Sequence, residues 1–149
     1  MINDNLTLRG DVAIVLKDKN GNVKESREIN NLVVTAGLTF ICSRMAGTSA
    51  GVMSHMALGS STTAAAAGQT DLVSILGSRE ALDSSTPSAN TIVYVSSFEA
   101  GEGTGAVTEA GVFNASSSGT MLCRTVFAVV NKGADDTMSV TWTITLTAS

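Results

Sequence analysis

His55 is the one histidine in the chain, so a Ser-His-Asp relay or most zinc sites would have to be built on it. It stands between Ser54 and Met56 in a short apolar stretch with no acidic neighbour, and reads as an ordinary sheet histidine. Glu99, Glu102 and Glu109 lie close in sequence, and a pair of carboxylates is what glycoside hydrolysis needs. Glu99 and Glu102 flank a Gly-rich run that reads as a solvated turn. Glu109, in Val107-Thr108-Glu109-Ala110-Gly111, has apolar flanks. A semi-buried carboxylate there is expected to bind loop amides or an arginine such as Arg124, not to act as a catalytic acid. No second positioned group accompanies it.

The remaining candidates fail on spacing. Gly101-Glu102-Gly103-Thr104-Gly105 lacks the lysine and following helix of a phosphate loop. Asp135-Asp136 lacks the alternating oxygen ligands of a calcium loop. Arg9-Gly10-Asp11 falls inside an expected strand, where the exposed tight loop of an adhesion motif does not form. Cys42 and Cys123 both sit among apolar residues and read as buried small hydrophobes rather than a disulfide framework. The sequence therefore assigns no catalytic, cofactor-binding or metal-binding residue, and no cofactor.

The elements that would carry these residues are mostly strands. Residues 137–147 alternate without a break: Met138, Val140, Trp142, Ile144 and Leu146 on one side, Thr and Ser on the other. That is a half-buried strand with an uncharged, hydroxylated outer face. Residues 6–17 alternate similarly, and Asn20-Gly21 then signals a type I′ hairpin turn into a return strand at 23–34. The charged middle of that return strand, Lys24-Glu25-Ser26-Arg27-Glu28, places the hairpin at an edge or makes it an arm. Leu38, Ile41, Cys42 and Met45 form one stripe, predicting a helix over 35–46 capped by Thr35 and ended by Gly47. A small-residue loop follows at 48–51. Further strands are expected at 53–58, 79–86, 91–100, 107–114 and 120–129, with one helical turn after Asp71. The expectation is one all-β domain over 1–149, an antiparallel sandwich or small barrel. Residues 1–34 form a hairpin arm and 35–149 the body.

Hydrophobic residues make up 44% of the chain and charged ones only 15%, against roughly 25% in typical soluble domains. Mean hydropathy is +0.26, yet no apolar run is long enough to cross a bilayer and the N-terminus lacks a secretory pattern. Folding in a reducing cytoplasm is then expected. Few charges without a membrane segment points to a surface covered by assembly, hence a homo-oligomer or other protein partners. The net charge of −4 and the scattered Lys and Arg residues argue against direct nucleic-acid binding.

Several segments then point to a family. Met56-Ala57-Leu58-Gly59-Ser60-Ser61-Thr62-Thr63, Val93-Tyr94-Val95-Ser96-Ser97-Phe98 and Val107-Thr108-Glu109-Ala110-Gly111-Val112-Phe113-Asn114 come first. Gly119 to Phe127, Asn131 to Met138 and Val140-Thr141-Trp142-Thr143-Ile144 follow in order. Over roughly 55–147 the chain resembles tailed-bacteriophage virion proteins, described as capsid decoration (cement) proteins or as tail-fibre and baseplate components. Asn31-Leu32-Val33-Val34-Thr35-Ala36-Gly37 upstream is similar as well. The chain departs from the pattern after Thr63, where similar proteins often carry proline and this one has Ala64–Ala67. The resemblance implies a non-enzymatic structural protein of the virion, assembled in the host cytoplasm. Its partners would be the major capsid protein or other virion proteins. The alternative is a tail-fibre, baseplate or receptor-binding module, which would want aromatic platforms for sugars. Aromatics are only 4% of the chain, and Trp142 falls on the expected core face. The resemblance implies no catalytic residue.

Overall fold

A computed structural model describes residues 5–47 and 51–148. Its elements are β1 (Leu6–Lys17), β2 (Val23–Asn30), β3 (Leu32–Val33), α1 (Thr35–Met45), β4 (His55–Gly59), β5 (Glu80–Ala81), β6 (Ser84–Ser88), β7 (Thr91–Phe98), β8 (Gly105–Phe113), β9 (Met121–Lys132) and β10 (Thr137–Ala148). They form two five-stranded antiparallel sheets, β2-β1-β10-β7-β6 (sheet A) and β3-β9-β8-β4-β5 (sheet B). The all-β sandwich with one short helix is the architecture the alternation and turn spacing predict. The loop expected at 48–51 lies outside the described residues except for Gly51.

The core lies between the sheets, and sheet A supplies it in cross-strand rows. Val12, Trp142 and Tyr94 face one another along one row, Leu16, Met138 and Phe98 along another. Sheet B answers with Met56, Leu58, Ala110, Val112 and Phe127. Each such large side chain contributes about 1.5–3 kcal/mol by leaving water. Trp142 is fully buried, as the alternation of 137–147 requires.

The N-terminal hairpin corrects the expectation of an arm. β1 pairs with β10 along its whole length, from Leu6 opposite Ala148 to Lys17 opposite Thr137. Val12, Ile14 and Leu16 are buried in the main cluster. Only β2 lies at the edge. The turn is also not type I′. Gly21 N donates to Asp18 O, and Gly21 (φ 83°) supplies the positive dihedral while Asn20 does not. The Asp18 carboxylate accepts the Asn20 and Asn22 amides and fixes this form instead. Those amides hold its pKa below the ordinary value.

The helix forms where expected but buries a different face. Leu38, Cys42 and Met45 are exposed, Met45 at 84%. Contact runs through Gly37, where a Cβ would strike the Leu122 carbonyl, and through Phe40 and Ile41 against the main core. A stripe of large residues marks amphipathicity, but here the close approach to β9 depends on the residue without a side chain. Cys42 is thereby exposed, not buried. Val34, not Thr35, is the N-cap, without a side-chain bond, and Gly47 (φ 68°) ends the helix as expected.

Two further expectations are corrected. No helical turn follows Asp71. The strand expected at 79–86 is two short ones in different sheets. The chain crosses between them at Leu82 and Asp83, whose amides donate to Ser54 O on one side and Val95 O on the other. Pro87 lies within β6, an outer strand where a missing N–H is tolerated.

The two sheets differ in cover. β8 is buried on both faces from Val107 to Phe113. Its outer face carries a second small cluster, Val34, Ala57, Leu72, Phe113 and Met121, closed by the start of α1 and the segment after β4. Among the described residues, the outer face of sheet A has no such layer.

Candidate functional site

Glu109 is where the structure spends most of its buried polarity. It lies on β8 facing outward from the core, with Arg124 beside it on β9, and both are fully buried. Arg124 Nε donates to Glu109 Oε2 at 2.9 Å, and Nη2 lies 2.8 Å from the same oxygen. The Ser74 and Ser61 amides donate to Oε1 at 2.8 and 3.2 Å, and the Val73 amide to Oε2 at 3.1 Å. Arg124 Nη1 donates to Gln69 Oε1, which also accepts the Ala66 amide. Thr108 Oγ1 donates to Ser61 O. One ion pair thus pins both ends and the middle of segment 60–76. Gly59 is needed at the start of that segment, because a Cβ would sit 2.5 Å from Glu109 Oε1. The role expected for Glu109, holding loop amides and Arg124, is the one it has. With every carboxylate lone pair engaged by a donor, nothing is left to move a proton on a substrate.

A second polar cluster was not legible in the sequence. Lys132 is buried at the end of β9, its Nζ donating to Glu99 O at 2.8 Å and Asp136 O at 2.7 Å. Burial lowers its pKa. Asp136 accepts from Lys24 Nζ at 2.8 Å and from the Gly133 amide at 2.7 Å. Lys24 first, then that amide, holds the Asp136 carboxyl below its ordinary value. Lys24, from the charged middle of the return strand, thus has a partner within the chain. Glu99 is exposed and Glu102 half-buried, the latter accepting the Glu99 amide. Among the described residues, no three His, Cys, Asp or Glu side chains converge as metal ligands would.

The remaining candidates are scattered. His55 is half-buried on β4, its Nδ1 2.8 Å from Ser54 Oγ. This is a contact between sequence neighbours, and among the described residues no carboxylate bonds the ring. A serine nucleophile would need the other nitrogen turned to it and an acid on Nδ1. Arg9 and Asp11 pair with each other on β1, and Gly10 between them is buried against Asn31. Cys123 is buried, which pushes its thiol pKa well up; Cys42 is exposed, and both are free. Arg79 stacks 3.6 Å over Phe113 and donates to the Ala115 and Ser118 carbonyls, fastening the β8–β9 turn. No sequence signal pointed to it.

What stands open is the outer face of sheet A. Ala13, Thr141 and Val95 form one row across three strands, Asp11, Thr143 and Val93 the next, Val15, Ser139 and Ser97 another. Its centre around Thr141, Ser139 and Val95 is hydroxyl and methyl, and charge surrounds it: Arg9–Asp11 and Lys17 on β1, Glu28 on β2, Asp83, which accepts from Ser97 Oγ, and Glu99, which accepts from Thr137 Oγ1. A shallow concavity of about 500 Å³ runs beside Ala13 and Thr141, with Arg9, Asp11 and Glu28 also lining it. The centre of such a face can meet another flat protein surface without desolvating charge, leaving the charged residues around it at a polar rim. Comparison with protein-family models, with curated proteins and with solved structures gave no match to this chain.

Proposed function

We propose that this chain is a non-enzymatic structural protein of a tailed-bacteriophage virion, a capsid decoration protein that stabilises the shell through contacts between subunits. The observation that carries the reading is the outer face of sheet A, hydroxyl and methyl at its centre and, among the described residues, without the layer that covers sheet B. The sequence resemblance over 55–147 supports it. A rigid sandwich presenting that face binds only the assembled lattice, so it raises shell stability as a ligand of the native state does. The pinned segment 60–76 adds a surface ordered before contact, which lowers the entropy cost of association. The protein then resides in the virion, with the major capsid protein and copies of itself as partners.

The test is to add purified protein to shells lacking it and measure shell melting. A rise in melting temperature that saturates with added protein is expected. Replacing Thr141 and Ala13 by Lys should abolish it without unfolding the protein. No binding to shells, with binding to tail assemblies instead, would move the protein to the tail.

A further inference from the structure

Among the described residues β2 closes one edge of sheet A, so half of its backbone hydrogen-bonding groups have no strand beyond them. Its register on β1 decides which half. Asn31 N donates to Gly10 O, and bonded positions in an antiparallel pair recur at every second residue. Ile29, Arg27 and Glu25 therefore turn their amides and carbonyls to Val12, Ile14 and Leu16 of β1. Ser26 and Glu28 turn theirs outward. Reading away from Ser26 in both directions, Glu25 answers Arg27, Lys24 answers Glu28, Val23 answers Ile29 and Asn22 answers Asn30. Charge is inverted and hydropathy mirrored about one serine.

We propose that β2 pairs with β2 of a second copy of this chain, antiparallel about a two-fold axis at Ser26, joining two copies of sheet A into one continuous sheet. In a two-fold strand pair the residue on the axis faces its own copy. An axis at Lys24, Glu25, Arg27 or Glu28 sets like charges face to face, which is destabilising. Ser26 alone among these five meets itself without charge. In that register Glu25 of each copy faces Arg27 of the other. Each Glu25 is already paired with Arg27 of its own strand, so four charges alternate in sign around the axis. Glu28, with no ion pair among the described residues, faces Lys24, which has donors to spare beyond its bond to Asp136. The strand bulges between its Glu25 and Val23 pairings with β1, so the regular stretch from Glu25 to Ile29 carries the register. Val23, 59% exposed, lies at the rim. Charge placed only to repel other strands has no need of this inverted order. Charge pairs of this kind fix register and partner more than raw affinity. The inference deepens the assembly reading by naming one contact between copies.

Sedimentation equilibrium of the full chain, with Cys42→Ser to exclude chance disulfides, tests it. Twice the mass of one chain is expected. R27E sets acid against acid and should return the single mass; E25R/R27E restores the alternation and should restore the dimer. S26P removes an amide that faces outward and has no strand to bond within one chain. It should keep the wild-type melting curve at dilutions where the wild type is monomeric, and lose the dimer. A wild-type chain that stays monomeric at every concentration would overturn the proposal, as would a dimer indifferent to R27E and S26P. Shell binding is scored separately on the wild-type chain, so either reading can fail without the other.

Discussion

Replacing Glu109 by Gln should be among the most costly conservative changes in this protein. The substitution keeps the size and removes the charge. Arg124 is then fully buried without a counter-ion, a situation that costs about 3–5 kcal/mol. Four donors converge on the carboxylate, from Ser61, Val73, Ser74 and Arg124. The side-chain amide offers one acceptor oxygen and turns an N–H₂ toward the rest. The loop amides can recover water if segment 60–76 lifts, so their loss adds little to the global figure and appears as local opening instead. A total of about 4 kcal/mol is a large part of the roughly 5–15 kcal/mol that holds a domain together. At about 2–4 °C per kcal/mol for a chain near this length, the melting temperature should fall by roughly 10 °C. Urea unfolding gives the stability, and limited proteolysis gives the opening of 60–76. In E109L/R124M both charges are gone, so much of the stability should return while the loop stays cleavable. An E109Q protein within about 1 kcal/mol of wild type, the net worth of one ordinary hydrogen bond, with its loop resistant to protease would refute the reasoning.

Trp142→Ala should cost about 3–5 kcal/mol, read by urea unfolding, since the indole fills the row between Val12 and Tyr94; a wild-type fluorescence maximum typical of an indole in water would contradict its placement. A chain beginning at Asn31 should give no cooperative melting transition, because it loses Val12, Ile14 and Leu16, each worth about 1.5–3 kcal/mol, and strips one side of β10. Asp136 is held below its ordinary 3.8, so the folded state binds fewer protons there than the unfolded chain. That stabilisation is whole above the ordinary value and is lost as pH falls through the lower folded one. Lys24→Met removes the main cause and should raise the midpoint of acid unfolding followed by circular dichroism; an unmoved midpoint would count against the pairing.

The parts of this fold legible in the sequence are those in which side chains report their own environment. Thr and Ser against Met, Val, Trp and Ile in 137–147 give the strand and its core face directly. Glu109 was legible for a related reason, a charge among apolar neighbours that must find partners. The helix was legible and its face was not, because Gly37 packs by what it lacks. The hairpin was read as an arm because β2 is charged, yet β1 takes its place from β10, a strand far along the chain that no local pattern mentions. Segment 60–76 has almost no periodicity; its shape is imposed by Glu109 and Arg124. Nothing in the sequence marks Lys132 for burial, since only the fold brings the Glu99 and Asp136 carbonyls to its ammonium.

The pairing of β1 with β10 has a consequence for how the molecule comes into being. Of the described strands a ribosome delivers β1 before all others and its inner neighbour β10 after them, so the hairpin waits with one flank open until β10 is made. Contacts between such distant segments pay the full entropy of closing the loop before they return anything, and this slows folding. Sheet B, whose β8 and β9 are joined by a short turn, can assemble earlier and offer a surface to collapse on. The middle of sheet A then acts as a clasp that shuts once β10 is made. A chain cut short before β10 would leave β1 with an unpaired edge, open to the wrong strand.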